Sequence, residues 1–211
     1  MAATSDKAIS SLAALSDAIS GCRRCPLYRN ATHAVPGEGR ANAQLMLVGE
    51  QPGNEEDLAG RPFVGPAGRV LDKALREAGL DRRTVFITNA VKHFKFERRG
   101  KRRLHKRPNA EEIRICGVWN AWERKLIKPR LTIAMGATAA RSVLGRTVKI
   151  GSSRGRILSS PEGDVLVTIH PSLILRIPDA AAKKLAFRDF VRDLKLPKTL
   201  LSAKKRPRPA D

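Results

Sequence analysis

The chain has 211 residues, of which 42% are hydrophobic, and carries a formal net charge of +21 from 41 Lys and Arg against 20 Asp and Glu. This hydrophobic fraction excludes a wholly disordered chain, and the length favours one domain with appendages. A mean hydropathy of −0.31, without any run of about 18 apolar residues, excludes a membrane span.

The spacing of the apolar residues predicts helices alternating with strands. The predicted helices cover 8–19, 65–79, 109–126, 136–144 and 180–194, and the predicted strands cover 45–48, 84–88, 131–135 and 165–169. Such alternation is typical of an α/β fold, here a single three-layer α/β/α domain with a central four-stranded, mainly parallel sheet. We expect this domain to cover 1–196, with an inserted basic loop at 95–108. A basic tail at 197–211 is expected to be disordered.

Polar side chains follow three of the predicted strands. Glu50 and Gln51 come after the first strand, Asn89 after the second and His170 after the fourth. Ligands of such sheets bind beyond the carboxyl ends of the strands, so we expect these residues to meet in one pocket. Phe63 stands just before the helix at 65–79, where it can stack on a flat base or serve as an ordinary core residue.

Two short segments hold most of the excess charge. Residues 92–107 carry nine basic residues and one acidic residue, and 195–211 carry six and one. Cations this close together repel one another unless phosphate meets them. The pattern favours a nucleic-acid partner, with the first segment as a flexible loop.

The three cysteines are too few for a disulfide scaffold and indicate a reducing compartment. Cys22 and Cys25 form a tight pair suited to a metal centre, and Cys116 lies in a predicted helix. Three cysteines and one histidine are also a standard zinc set. A third alternative is that the thiols hold no metal.

Four motifs follow one another along the chain. They are Gly-Glu-x-Pro-Gly at 49–53, Gly-Arg-Pro-Phe-Val-Gly-x-Ala-Gly at 60–68, Ile-Thr-Asn-x-Val-Lys at 87–92 and His-Pro-Ser-x-x-Leu-Arg at 170–176. Over roughly 22–192, the chain resembles the uracil-DNA glycosylase superfamily in its iron–sulfur family 4 branch. The resemblance implies a uracil-binding set of Gly49, Gln51, Phe63, Asn89 and His170. It also implies a structural [4Fe–4S] cluster, for which His93 is the expected fourth ligand beside Cys22, Cys25 and Cys116, with His33 as the alternative.

Three features depart from family 4 and resemble the UdgX proteins. Gln51 stands where family 4 has Ala, His93 stands where it has Cys, and an insert at 101–105 ends in His105. UdgX proteins excise uracil and stay covalently attached to the DNA through the histidine of this insert. The implied catalytic set is Glu50, Gln51, His105 and His170. The expected DNA-binding set is Lys101, Arg102, Arg103, Lys106, Arg107, Ser172 and Arg176.

The resemblance implies a glycosylase that excises uracil from single- or double-stranded DNA and links His105 to C1′ of the abasic site. Only a neutral imidazole can attack, and the neighbouring cations disfavour its protonated form. The alternative is an ordinary turnover glycosylase of the family 4 type, and a third reading is a DNA-binding protein without catalysis. We expect a monomer, because no dimer signature is evident. We expect a cytoplasmic, DNA-associated location from the chemistry and because no targeting signal is evident.

Overall fold

A six-stranded mixed sheet forms the centre of the protein in the computed structural model, which describes residues 9–202. The strands are β1 (Glu38–Gly39), β2 (Leu45–Gly49), β3 (Phe86–Asn89), β4 (Phe96–Arg99), β5 (Arg102–His105), β6 (Leu131–Met135), β7 (Arg156–Ser160) and β8 (Gly163–Thr168). The sheet order is β1-β3-β2-β6-β8-β7, and β4 and β5 form a separate two-stranded hairpin.

The sheet has six strands where the sequence predicts four. The predicted strands are the inner ones, β3, β2, β6 and β8, which run parallel to one another. The added edge strands β1 and β7 are antiparallel to their neighbours. Since β1 has only two residues and β7 lacks buried side chains, neither leaves the apolar pattern that identifies a buried strand.

Helices cover both faces of this sheet, as the sequence predicts. They are α1 (Leu12–Ser20), α2 (Asn54–Ala59), α3 (Pro66–Ala78), α4 (Ala110–Ile127), α5 (Ala137–Leu144), α6 (Ile150–Ser153), α7 (Pro171–Arg176) and α8 (Ala180–Ser202). Side chains alternate along β2, so that Leu45 and Leu47 join a core with α3 and α8, whereas Met46 and Val48 join a second core with α5. Among the described helices, none is long and apolar enough to cross a membrane.

The last helix runs further than expected. It continues through Pro197 to Ser202, so the first part of the segment expected to be disordered is helical. Leu201 packs against the first core, and its carbonyl oxygen accepts a hydrogen bond of 2.8 Å from Arg130. The rest of the predicted tail, 203–211, lies outside the described residues, as do 1–8.

The basic segment at 95–108 contains a β-hairpin where the sequence predicts a flexible loop. Phe96 pairs with His105, and Arg99 pairs with Arg102 across a two-residue turn. Gly100 in that turn has a φ of 58°, which glycine adopts readily. A glycine in a two-residue connection between short segments is a hairpin signal, and it was the clue available in the sequence.

Candidate active site

The candidate site lies at the carboxyl end of β2, where the chain connects first to the strand on one side of β2 and later to the strand on the other side. Strand β2 has β3 on one side and β6 on the other, and ligands bind at such a point beyond the strand ends. Glu50 follows β2, and Thr138 lies in the first turn of α5, directly after β6. Thr138 Oγ1 donates a hydrogen bond of 2.7 Å to Glu50 Oε2. Sequence reasoning missed Thr138, whose only signal is its place after a strand.

Four of the predicted residues, Gly49, Phe63, Asn89 and His170, lie close together at the end of β2. A Cβ atom on Gly49 would lie 2.5 Å from Phe63 Cζ and closer still to Asn89 Oδ1, so only glycine fits there. The centroids of the Phe63 and His170 rings are 5.9 Å apart. Phe63 is buried and has a φ of 56°, a strained conformation typical of functional sites.

Two side-chain atoms in this group are buried without a partner. They are Asn89 Oδ1, an acceptor, and His170 Nε2. The backbone N–H of Ser172 donates to His170 Nδ1 at 3.2 Å, which assigns the proton of the neutral ring to Nε2. Burial lowers the pKa of His170 to about 4, so the ring is neutral at pH 7. Buried groups normally find partners, and a bound ligand can supply both.

A buried polar network fixes the backbone of Asn89. Its carbonyl oxygen accepts hydrogen bonds from Lys92 Nζ at 3.0 Å and Asn120 Nδ2 at 3.1 Å. Lys92 also pairs with Glu123 at 2.8 Å, and both side chains are fully buried. The sequence groups Lys92 with the DNA-facing basic segment, but the structure uses its charge inside the protein.

Glu50 is held as a carboxylate. Burial by itself raises its pKa, but hydrogen bonds from His105 and Thr138 outweigh burial and lower that pKa to about 2. His105 Nε2 lies 3.3 Å from Glu50 Oε1, and the His105 side chain is 48% exposed. The inserted hairpin therefore brings its histidine to the same carboxylate that faces His170.

Gln51 and Arg103 take positions that differ from those the sequence predicts. Gln51 is buried, and its amide Nε2 donates to the carbonyl oxygens of Lys95 and Lys106, each at 3.1 Å. Arg103 turns inward to Asp57, with 2.6 Å between Nη1 and Oδ2. Neither side chain faces the predicted ligand, because both bind the body of the protein to the hairpin.

The other predicted DNA contacts lie around the hairpin and α7. Lys101 and Arg102 are exposed near the hairpin turn. Lys106 pairs with Glu97 at 2.5 Å, and Arg107 Nε lies 3.9 Å from Glu50 Oε2. Near α7, the exposed Arg176 lies 3.4 Å from the Ser172 hydroxyl, which also contacts His170.

The three cysteines lie in one buried cluster between α1 and α4. Their thiols are free, and burial raises the pKa of Cys116 to about 12. Trp119 Nε1 donates to Cys22 Sγ at 3.3 Å, and the backbone N–H of Lys92 donates to Cys116 Sγ at 3.2 Å. Soft thiolate donors with N–H groups directed at sulfur suit a metal centre.

The predicted fourth ligand follows the residue that contacts Cys116. His93 is buried, and its Nδ1 has no hydrogen-bond partner. His33 Nδ1, the alternative, lies 2.8 Å from the carbonyl oxygen of Asp57. Within residues 9–202, no three Cys, His, Asp or Glu side chains form a group arranged to hold a metal ion. The donor types are therefore present without a ready-made coordination geometry.

Comparisons with known proteins give the family. The model of the "Uracil DNA glycosylase superfamily" matches residues 36–195. The chain is 37% identical to a type-4 uracil-DNA glycosylase of Pyrobaculum aerophilum, over 78% of this chain and 84% of that protein. It is 36% identical to a type-4 uracil-DNA glycosylase of Thermotoga maritima, over 83% and 89%. A type-5 uracil-DNA glycosylase of P. aerophilum is 30% identical over 72% and 78%. The chain therefore belongs to the uracil-DNA glycosylase superfamily.

Proposed function

We propose that the protein excises uracil from DNA. The observation that carries this proposal is the pair of unpartnered buried atoms, Asn89 Oδ1 and His170 Nε2, beside the Phe63 ring. The matched relatives are named uracil-DNA glycosylases, which supports the same chemistry. A base inside a duplex is out of reach, so the enzyme acts on single strands or on a base turned out of the helix.

The Asn89 amide reads the uracil edge. Its unpartnered Oδ1 accepts the N3–H of uracil, and its NH₂ group donates to O4. Cytosine offers the opposite pattern, an acceptor at N3 and a donor at C4, so it leaves the amide unpaired. Lys92 and Asn120 donate to the backbone carbonyl oxygen of Asn89. They hold the backbone that carries this side-chain amide, and Phe63 stacks on the base.

His170 and Glu50 stabilise the charges that develop as the C1′–N1 bond breaks. His170 Nε2–H donates to uracil O2, where negative charge grows, a contribution of about 3–4 kcal/mol in comparable sites. The Glu50 carboxylate faces the positive charge on the sugar. With a pKa of about 2, it is a carboxylate at neutral pH before the bond breaks.

Substitution of Asn89 by Asp tests base recognition. The carboxylate keeps acceptors but loses the donor for O4, so we expect discrimination of uracil against cytosine to fall by at least about tenfold. The measurement is base release from two single-stranded oligonucleotides that differ at one base. Unchanged discrimination would remove Asn89 from the recognition role.

A second candidate function is covalent capture of the product by His105. The observation that favours it is the 3.3 Å distance between His105 Nε2 and Glu50 Oε1. In this step, the electron pair of the C1′–N1 bond leaves with uracil. Glu50 accepts the Nε2 proton, and the electron pair freed on Nε2 forms the bond to C1′. The type-4 relatives favour the alternative, in which water takes this place and the enzyme turns over.

Peptide mass spectrometry after nuclease digestion distinguishes the two outcomes. Capture predicts a deoxyribose adduct on His105 in the wild type, and free uracil with repeated turnover in His105→Ser. An unmodified His105 peptide from a reaction that has released uracil supports ordinary turnover and overturns the capture step.

The exposed cations near the hairpin turn are expected to bind phosphate in either case.

We also propose that Cys22, Cys25, Cys116 and His93 hold a structural [4Fe–4S] cluster. The shared burial of the thiols, the N–H donors to sulfur and the unpartnered His93 Nδ1 support this set. Purification without oxygen, followed by iron and zinc analysis, tests it. About four irons with absorbance near ~410 nm are expected; one zinc without that absorbance, or no metal, overturns the assignment.

A further inference from the structure

We infer that Glu56 is a positioning residue, which holds Phe63 in the conformation that lets its ring stack on uracil. This inference deepens the proposed excision function and rests on it. Glu56 lies in the short helix α2, between the motifs at 49–53 and 60–68, and belongs to neither motif. Its side chain is buried, and a buried carboxylate is unfavourable unless it is hydrogen-bonded.

The Glu56 carboxylate joins the two motifs. Its Oε2 accepts a hydrogen bond of 3.0 Å from the backbone N–H of Gly53, and its Oε1 accepts one of 2.8 Å from the backbone N–H of Gly65. The contact with Gly53 belongs to the capping box of α2, but Gly65 lies beyond that helix. Within residues 9–202, these two N–H groups are the only hydrogen-bond donors to the carboxylate.

The negative charge of Glu56 suits two helix ends at once. Gly53 is the N-cap of α2 and Gly65 is the N-cap of α3, so both helices begin at one carboxylate. Helix N-termini carry partial positive charge, which favours a carboxylate over a neutral amide. Glu56→Gln keeps the shape of the side chain, but the amide accepts at its oxygen only, because its NH₂ group is a donor. One backbone N–H is then left facing another donor.

Phe63 depends on this attachment because its backbone is strained. It has a φ of 56°, and such a conformation persists only where the surrounding structure imposes it. Its carbonyl oxygen packs on α3 at Gly68, where a Cβ atom would not fit. Glu56 holds Gly65, two residues after Phe63, and with it the start of α3. Without this hold, we expect the backbone to relax and the ring to leave the face of the base.

Uracil release and inhibition by free uracil measure the effect on the base pocket. For Glu56→Gln, we expect the second-order rate of uracil release from a single-stranded oligonucleotide to fall at least about tenfold, and the Ki of free uracil to rise by a similar factor. Affinity for the same strand with thymine in place of uracil is unchanged, because exposed cations hold its phosphates. The control is Glu55→Gln, which removes the same charge from a half-exposed neighbour on α2 and leaves all three values unchanged.

A double-mutant cycle with Phe63→Ala separates positioning from a general loss of stability. If Glu56 acts through the Phe63 ring, Glu56→Gln costs less than about twofold in the Phe63→Ala background, since the effects of coupled residues do not add. A merely structural role lowers the rate by the same factor in both backgrounds, which would overturn the inference.

Gly53→Ala is a second variant, which serves if Glu56→Gln does not fold. The added Cβ would lie 2.6 Å from Glu56 Oε2, so the carboxylate must shift while its charge remains. We expect the same two losses, of at least about threefold, and again none in the Phe63→Ala background. A rate and a Ki equal to those of the wild type would overturn the inference.

The two proposals fail in different ways. If the wild type releases no uracil, the excision function is wrong and positioning for it falls with it. If the wild type releases uracil while Glu56→Gln behaves as Glu55→Gln does, or costs as much without the Phe63 ring as with it, excision stands and only the inference about Glu56 is overturned.

Discussion

Replacing Gly49 with Ala tests the geometry of the base pocket. The added Cβ would lie 2.5 Å from Phe63 Cζ and closer to Asn89 Oδ1, about 1 Å inside an ordinary carbon contact. Both neighbours are buried, so one of them must move by about that distance. A displacement of about 1 Å at a reacting group can cost ~10²-fold in rate, and overpacking costs about 1–3 kcal/mol of stability.

The assay is uracil release from a single-stranded oligonucleotide, with urea unfolding measured in parallel. We expect kcat/KM to fall by about 100-fold while the variant remains folded. Gly117→Ala is the matched control, because a Cβ at this α4 position meets nothing within 4 Å, and it leaves activity unchanged. If Gly49→Ala keeps activity within about threefold of the wild type, Gly49, Phe63 and Asn89 do not enclose the base.

Three further predictions concern buried polar groups. Because burial lowers the pKa of His170 to about 4, its folded form binds fewer protons than the unfolded form. The free energy of unfolding falls by up to about 3 kcal/mol between pH 6.5 and 4, and His170→Gln, measured in urea, loses this slope. Lys92→Met leaves the Glu123 carboxylate without its cation and lowers that free energy by about 3–5 kcal/mol; adding Glu123→Gln restores part of it. Thr138→Val raises the pKa of Glu50 and shifts the acid limb of kcat/KM to higher pH, whereas Thr138→Ser does not.

The parallel centre of the fold was predictable because its strands are short apolar runs bounded by turns. The same reasoning placed Glu50, Asn89 and His170 at strand ends, and the structure brings them together. Edge strands escaped prediction because they bury little. Thr138 escaped because one threonine in a helix start carries no chemical signal until its neighbour across the sheet is known.

The direction of a charged or amide side chain was the other unpredictable feature. Counting cations grouped Lys92 and Arg103 with the residues that meet DNA, yet both point inward to buried carboxylates. Gln51 reads as a ligand contact in the sequence, because nothing local shows that its amide meets residues 44 and 55 positions away. Long-range hydrogen bonds of this kind are set by the tertiary fold.

The most direct test of the account mixes the protein with a labelled single-stranded oligonucleotide containing one uracil, then heats the products in SDS and separates them on a denaturing gel. We predict a shifted band for the wild type, and for His105→Ser an unshifted strand that breaks in alkali. An unshifted, alkali-sensitive strand from the wild type would contradict capture and leave ordinary excision. An intact strand from both proteins would contradict uracil excision itself.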